Sequence, residues 1–306
     1  MTGILILEQA LNGLQFGLML FLLAAGLTLV FGIMDMINLA HGSLYMLGAY
    51  LVASIATASG SFVVGLLGGV AATAAIGMLL EVTVLRRLYQ RDHLSQVLGT
   101  FALLLMANEA VRMIWGSQPI AFNPPAALAG PVELLPGFSY PAFRLLITAV
   151  GLAVALALYL LVSRTRLGMQ VRAGAANREM ALAMGTNVRR LFTIVFGLGA
   201  ALCAVAGGML GPLLAVQVGM GESILILAFV VIVIGGIGSI RGALLGALLV
   251  GVLDTVARTL LPLVLGHLLG ASAAESAGPA LASVLIYVVM AAVLFFKPQG
   301  LFPARA

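Results

Sequence analysis

Three polar residues, Asp35, Asn38 and His41, interrupt the apolar stretch FGIMDMINLAHGSLYMLGAY at Phe31–Tyr50. Polar groups at or near membrane depth are costly and often functional. Asn38 could cap a following helix, leaving His41 as a hydrogen-bonded interior histidine, or the pair could meet a ligand directly. Gly42 and Gly48 would allow a bend or close packing there. A metal site is not expected, because no second histidine or cysteine lies near His41.

A second constellation is the polar stretch RTRLGMQVRAGAANREMALAMGTNVRR, residues 164–190. It carries Arg164, Arg166, Arg172, Arg178, Arg189 and Arg190, six of the fifteen Lys and Arg. Excess Lys and Arg beside membrane spans marks the cytoplasmic side, so this loop orients the chain. Within it Asn177 can cap a first turn, Arg178 to Met184 are mostly good helix formers, and Gly185 can end the helix left-handed. Two turns of helix do not persist alone in water. The apolar positions Ala176, Met180, Ala183 and Met184 therefore need a partner, either the chain's own spans or a separate cytosolic protein.

The third is GGIGSIRGALLG, residues 235–246. It lacks the lysine of a phosphate-cradling loop and the strand-to-helix context. A tight cytoplasmic turn with Arg241 at its tip accounts for it better. HGSLYMLGAYL and IGSIRGALLGALL share a Gly-Ser opening and a later Gly-Ala step, a faint trace of an internal repeat of the kind transporters use.

Reactive clusters are not evident. Glu81, Glu109 and Asp254 lie on different helices toward their ends, and Asp254 has Arg258 four residues on, an ordinary helical pair. An ion-driven carrier would more often cluster ionisable groups near the midplane. No arrangement suggests an intramembrane protease, so catalysis by this chain is not expected, and neither a cofactor nor a metal.

Composition sets the elements that must position these groups. Of 306 residues, 62% are hydrophobic and 8% charged, with a mean hydropathy of +1.19; soluble domains run near 45–50% apolar and about 25% charged. This is an integral membrane protein in contact with the lipid bilayer. The pI near 9.9 does not indicate nucleic acid, since the positive charge lies in inter-span loops. A single cysteine, Cys203, excludes intrachain disulfides. The N-terminus lacks the positive n-region of a cleaved signal and reads as a retained first span.

Apolar runs place spans at about 8–31, 40–58, 62–85, 94–115, 142–163, 191–212, 223–240, 242–262 and 280–296, with residues 32–61 open to a broken or re-entrant path. With residues 164–190 inside, Arg86, Arg87, Arg91, Arg241, Lys297 and Arg305 also fall inside, twelve of the fifteen basic residues in all. Arg112, Arg144 and Arg258 lie toward the outer ends. The expected topology has the N-terminus outside and the C-terminus inside. The proline-rich segment 116–141 is the main external loop, extended or turned, either contacting an outside partner or covering the bundle; 263–279 reads as a short loop. GxxxG pairs at Gly13/Gly17, Gly65/Gly69, Gly207/Gly211 and Gly242/Gly246 are expected to pack helices closely. The expected fold is all-α, a polytopic bundle of about 8–10 spans forming one transmembrane domain, 1–306.

These stretches carry a resemblance. ALNGLQFGLMLFLLAAGLTLVFGIMDMINLAHGSLYMLGAYL resembles the N-terminal part of LivH-type permeases of branched-chain amino acid ABC importers. RAGAANREMALAMGTNVRRLFTIVFGLGAALCAVAGGMLGP is similar to their cytoplasmic coupling loop and following span, and GGIGSIRGALLGALLVG to their C-terminal signature. The resemblance implies an ABC importer permease fold in the bacterial inner membrane. The implied partners are a second permease (LivM-type), two cytosolic ATPases that bind ATP and Mg, and a periplasmic binding protein. It implies that the short helix, about Ala175–Gly185, inserts into an ATPase groove, with Arg172, Arg178 and Glu179 at its edge and Met180 and Met184 as apolar knobs. It matches Asn38, His41, Gly42 and Tyr45 to the family's pathway hallmark, without saying which touches substrate. Leucine-like amino acids are the default substrate; urea-like amides and aromatic carboxylates stay open. A self-contained secondary carrier is the competing class.

Overall fold

The computed structural model describes residues 2–269 and 271–302, with side chains at all of these except 2, 268–269 and 271–273; Arg305 lies outside the described residues. The apolar runs form helices: α1 (Thr2–Met34), α2 (His41–Ser59), α3 (Phe62–Leu80), α4 (Arg86–Leu88), α5 (His93–Trp115), α6 (Ala142–Arg164), α7 (Arg166–Ala176), α8 (Arg178–Ala183), α9 (Val188–Leu214), α10 (Met220–Gly235), α11 (Ile240–Leu269) and α12 (Ala271–Phe296). A π-helical turn, Glu81–Leu85, joins α3 to α4. Eight helices among the described residues are long and apolar enough to cross a membrane, which makes the chain a multi-pass, all-α membrane protein.

Two landmarks define the ends of the bundle. At one end, residues 116–141 form a short antiparallel hairpin of β1 (Pro131–Leu135) and β2 (Phe138–Pro141). At the other lie α7 and α8. The hairpin combines extended strands with a turn: Gly137 takes φ 82°, and its N–H donates to Glu133 Oε1, closing the turn.

Helix direction follows from contacts between elements. α1 starts near the hairpin, where Tyr140 and Arg144 both donate to Asn12 Oδ1. It ends near α7, where Gly174 faces Ile33. α9 runs the opposite way, and just beyond it Val216 pairs with Ile120 of the hairpin-end loop. Each of these long helices stops at a non-glycine residue with positive φ, Asp35 (50°) and Ala215 (59°). Each is followed by a non-helical stretch, 35–40 or 215–219, and then by a shorter helix, α2 or α10.

The two shorter helices start against each other inside the bundle. A Cβ on Gly42 would run into the Gly221 carbonyl oxygen, and one on Gly221 into that of Gly42. From this crossing α2 rises to the hairpin end, where Trp115 donates to Ser54 Oγ at 2.7 Å. α10 descends to the other end, where Leu301 and Phe302 donate to the Ile234 and Gly235 carbonyls. The set α1, α2, α3–α4, α5 is thus matched, upside down, by α9, α10, α11, α12, with α6 to α8 between them. Interrupted helices of this kind build solute sites in transporters. The pairing differs from the one the similar strings imply: His41–Leu51 opens the shorter α2, whereas the segment after Ile237 opens the 30-residue α11.

Two segments depart from the expected spans. The run expected at 223–240 is the 16-residue α10, about 24 Å at 1.5 Å per residue and short of a hydrocarbon core about 30 Å thick. Positive-φ Gly219 and Gly236 bound it. The expected loop 263–279 is largely helical, since α11 runs to Leu269 and α12 begins at Ala271; its Leu, Ala and Ser content is compatible with helix. Close glycine contacts set the spacing elsewhere. A Cβ on Gly17 would sit 2.8 Å from the Ala247 oxygen of α11, and one on Gly246 2.7 Å from the Val231 oxygen of α10. Gly207 meets the Tyr45 carbonyl of α2, Gly211 the Phe122 ring, and Gly242 the Gly235 carbonyl.

Candidate functional site

The arginine-rich stretch 164–190 folds as two helices. Thr165 caps α7 by accepting from the Gly168 N–H at 3.1 Å, and α7 runs to Ala176. Asn177 is extended (φ −157°, ψ 105°), and its side chain accepts from the Met180 N–H at 2.9 Å. The expected single helix, Ala175–Gly185, is therefore divided: Arg172 and Ala175 belong to α7, while α8 opens at Arg178. Its other end is a Schellman cap, in which Thr186 N–H reaches the Ala181 carbonyl at 3.0 Å past Gly185 at φ 84°.

α8 exposes Met180 and Met184, four residues apart on one side, and Leu182 on another. Met180 is 60% exposed, Met184 80% and Leu182, which sequence reasoning passed over, 51%; Ala181 faces inward at 4%. Glu179 is also exposed. Arg172 anchors the helix pair by donating to the Val162 carbonyl of α6. Exposed methionines beside a capped, two-turn helix form an adaptable apolar knob.

Behind α8 lies a chain of contacts leading into the bundle. The Arg178 guanidinium sits 4.9 Å from the centroid of the Phe192 ring, a cation–π contact. Phe192 meets Tyr89 edge to face at 5.3 Å, and the Tyr89 hydroxyl reaches Glu81 Oε1 at 3.3 Å. Glu81, fully buried, accepts from Arg86 Nη2 at 3.0 Å and from the Thr193 hydroxyl at 2.6 Å. Arg86 Nη2 also donates to Thr193 Oγ1 at 2.9 Å. The carboxylate thus ties the π-helical turn of α3 to α9, and π-bulges are frequent at functional sites. A buried carboxylate whose hydroxyl partner lies 112 residues away leaves no local sequence signal; Glu81 and Arg86 at i, i+5 are the nearest hint.

The residues of the first constellation sit at the α2–α10 crossing. Asn38 is fully buried, and its Oδ1 accepts from the Ala40 N–H at 3.0 Å. His41 is buried with Nε2 3.3 Å from the Leu23 carbonyl oxygen and 3.1 Å from Cys203 Sγ. Asn38 Nδ2 and His41 Nδ1 have no hydrogen-bond partner among the described residues. Tyr45 is 2% exposed. Asn38, His41, Gly42 and Tyr45 are thus brought together, inside the chain and about halfway along α1 and α9. They are remote from Arg172 to Gly185, which gather at one end. No group of three or more metal-ligating side chains occurs among the described residues.

At the same end as α8, Asp92 caps α5. The Ser95 hydroxyl and N–H donate to its carboxylate at 2.6 and 3.2 Å and hold it below the usual carboxylate range.

A multi-pass bundle with two interrupted helices meeting at its centre and a knob of exposed helix at one end defines a membrane permease. The chain belongs to the family described as branched-chain amino acid transport system / permease component, whose model matches residues 9–294. It is similar to the high-affinity branched-chain amino acid transport system permease protein BraD of Pseudomonas aeruginosa, 34% identical over 252 residues, 78% of this chain and 81% of the relative. It is also similar to LivH of Escherichia coli K12, 31% identical over 258 residues, 78% of this chain and 81% of the relative. A protein of Methanocaldococcus jannaschii described as a probable branched-chain amino acid transport permease protein LivH is 27% identical over 238 residues, 74% and 73% of the two chains.

Proposed function

We propose that this chain is a membrane-spanning subunit of an ATP-driven importer in the bacterial inner membrane, passing branched-chain amino acids handed over by a periplasmic receptor. The observation that carries the reading is α8: a capped helix with Met180, Leu182 and Met184 exposed, fastened through Arg178, Phe192 and Tyr89 to buried Glu81. A knob built this way suits insertion into a groove on a cytosolic ATPase. Two such ATPases bind ATP and Mg, and a second permease, of the LivM type, completes the membrane part. The arginines of 164–190 support a cytoplasmic side for α7 and α8, and α12 then ends on that side too. The hairpin end faces the receptor.

The reading is tested by reconstituting the assembled complex in liposomes. ATP inside the cytoplasmic face and leucine-loaded receptor on the other are expected to be required together for uptake. Uptake by the purified chain alone, driven by an ion gradient without ATP, would contradict it and favour a secondary carrier. Receptors loaded with urea, amides or aromatic carboxylates in the same assay separate those substrates from leucine.

A further inference from the structure

Glu222, in the first turn of α10, is exposed to the outside of the bundle at a depth where lipid would otherwise lie. Its Oε1 accepts from Asn108 Nδ2 of α5 at 2.6 Å. α5 fixes the depth: Asn108 stands about 10 Å along the axis from Trp115 and about 22 Å from His93, at 1.5 Å per residue. The neighbouring Gly221 packs on Gly42 at the interior start of α2, so Glu222 cannot slide toward either surface. Beside Asn108 on α5, Leu105 and Met106 are 47% and 67% exposed on one side, and the Glu109–Arg112 ion pair is exposed on the other.

A carboxylate at this depth is expensive unless it faces water or a partner charge. Among the described residues no Lys, Arg or His nitrogen lies within 4 Å of it. Arg112, one turn further along α5, is engaged by Glu109 at 3.3 Å. The Asn108 amide satisfies one carboxylate oxygen. Among the described residues, nothing bonds to Glu222 Oε2 or Asn108 Oδ1, two acceptors on adjacent side chains. An ammonium group has three N–H donors and no acceptor, which is the complement of that pair.

We infer that Glu222 and Asn108 line the aqueous solute path and receive the α-ammonium group of an amino acid in transit. This rests on the importer reading above and sharpens it: the site favours solutes carrying a free ammonium group over urea, neutral amides or aromatic carboxylates. Buried Asn38 and His41 then act from behind, through the Gly42–Gly221 contact that sets where α10 begins.

The test uses the full complex in liposomes. Glu222→Cys is treated with the water-borne thiol reagent MTSET; wild type, whose single cysteine is the buried Cys203, gives the background, and Leu156→Cys on exposed α6 the lipid-facing control. The expected result is modification of Glu222→Cys at least tenfold faster than Leu156→Cys, slowed by leucine with its receptor. Glu222→Gln is expected to cut ATP-driven leucine uptake at least tenfold with receptor-stimulated ATP hydrolysis kept, while Glu222→Asp retains most uptake. Modification no faster than the control, or full leucine uptake by Glu222→Gln, overturns the inference. Absence of ATP-driven uptake by wild type would instead defeat the importer reading, and labelling at 222 would still report whether water reaches it.

Discussion

Glu81 shows how one side chain links the surface knob to the membrane core. It receives Arg86, Thr193 and Tyr89 while fully buried, and hydrogen bonds to a charged group contribute about 1.5–3 kcal/mol each before exposure of the partner is discounted. Arg86 is 34% exposed, so water screens part of its share. Glu81→Gln is expected to leave α8 able to bind ATPase but to lower the leucine moved per ATP hydrolysed; unchanged stoichiometry would remove Glu81 from the coupling route. Gly42 makes a different demand. An added methyl meets Gly221 backbone, which cannot rotate away, so Gly42→Ala and Gly221→Ala are each expected to cost about 1–3 kcal/mol, read as a lowered thermal unfolding midpoint in detergent. A midpoint equal to wild type would mean that the α2–α10 crossing tolerates a gap.

At the scale of elements, α8 was legible because its signals are local. Asn177, Arg178–Met184 and Gly185 spell cap, helix and stop within nine residues of chain. Asn177→Ala is expected to weaken α8 by about 1 kcal/mol, seen as faster amide exchange at Met180 and Ala181. Gly185→Ala places a Cβ at φ 84° and is expected to cost about 1 kcal/mol. The limits of α10 were not legible, because apolar composition alone cannot separate a 16-residue interior helix from a short span. Those limits come from Gly219 and Gly236, and from the Gly42–Gly221 contact between segments far apart in sequence. The Glu81–Thr193 and Asn108–Glu222 pairs are invisible for the same reason. Glu222 left one clue, an acidic residue opening the otherwise apolar run Met220–Gly235.

For the whole molecule, the sequence carried the membrane class and all-α bundle, because both follow from hydropathy, while the inverted matching of α1–α5 with α9–α12 emerged from packing. That arrangement gives the chain two unlike ends, a proline-rich hairpin and an arginine-rich helix pair, and one polar depth in the middle. α8 is the point through which ATP hydrolysis is expected to reach this bundle. Its most direct measurement is affinity purification of the tagged chain from native membranes in mild detergent, comparing wild type with a Met180→Glu, Met184→Glu double variant. Wild type is expected to bring down two ATPase copies and a second permease, and the variant to keep the permease and lose the ATPases. ATPases retained in full by the variant, with ATP-driven uptake intact, would contradict the claim.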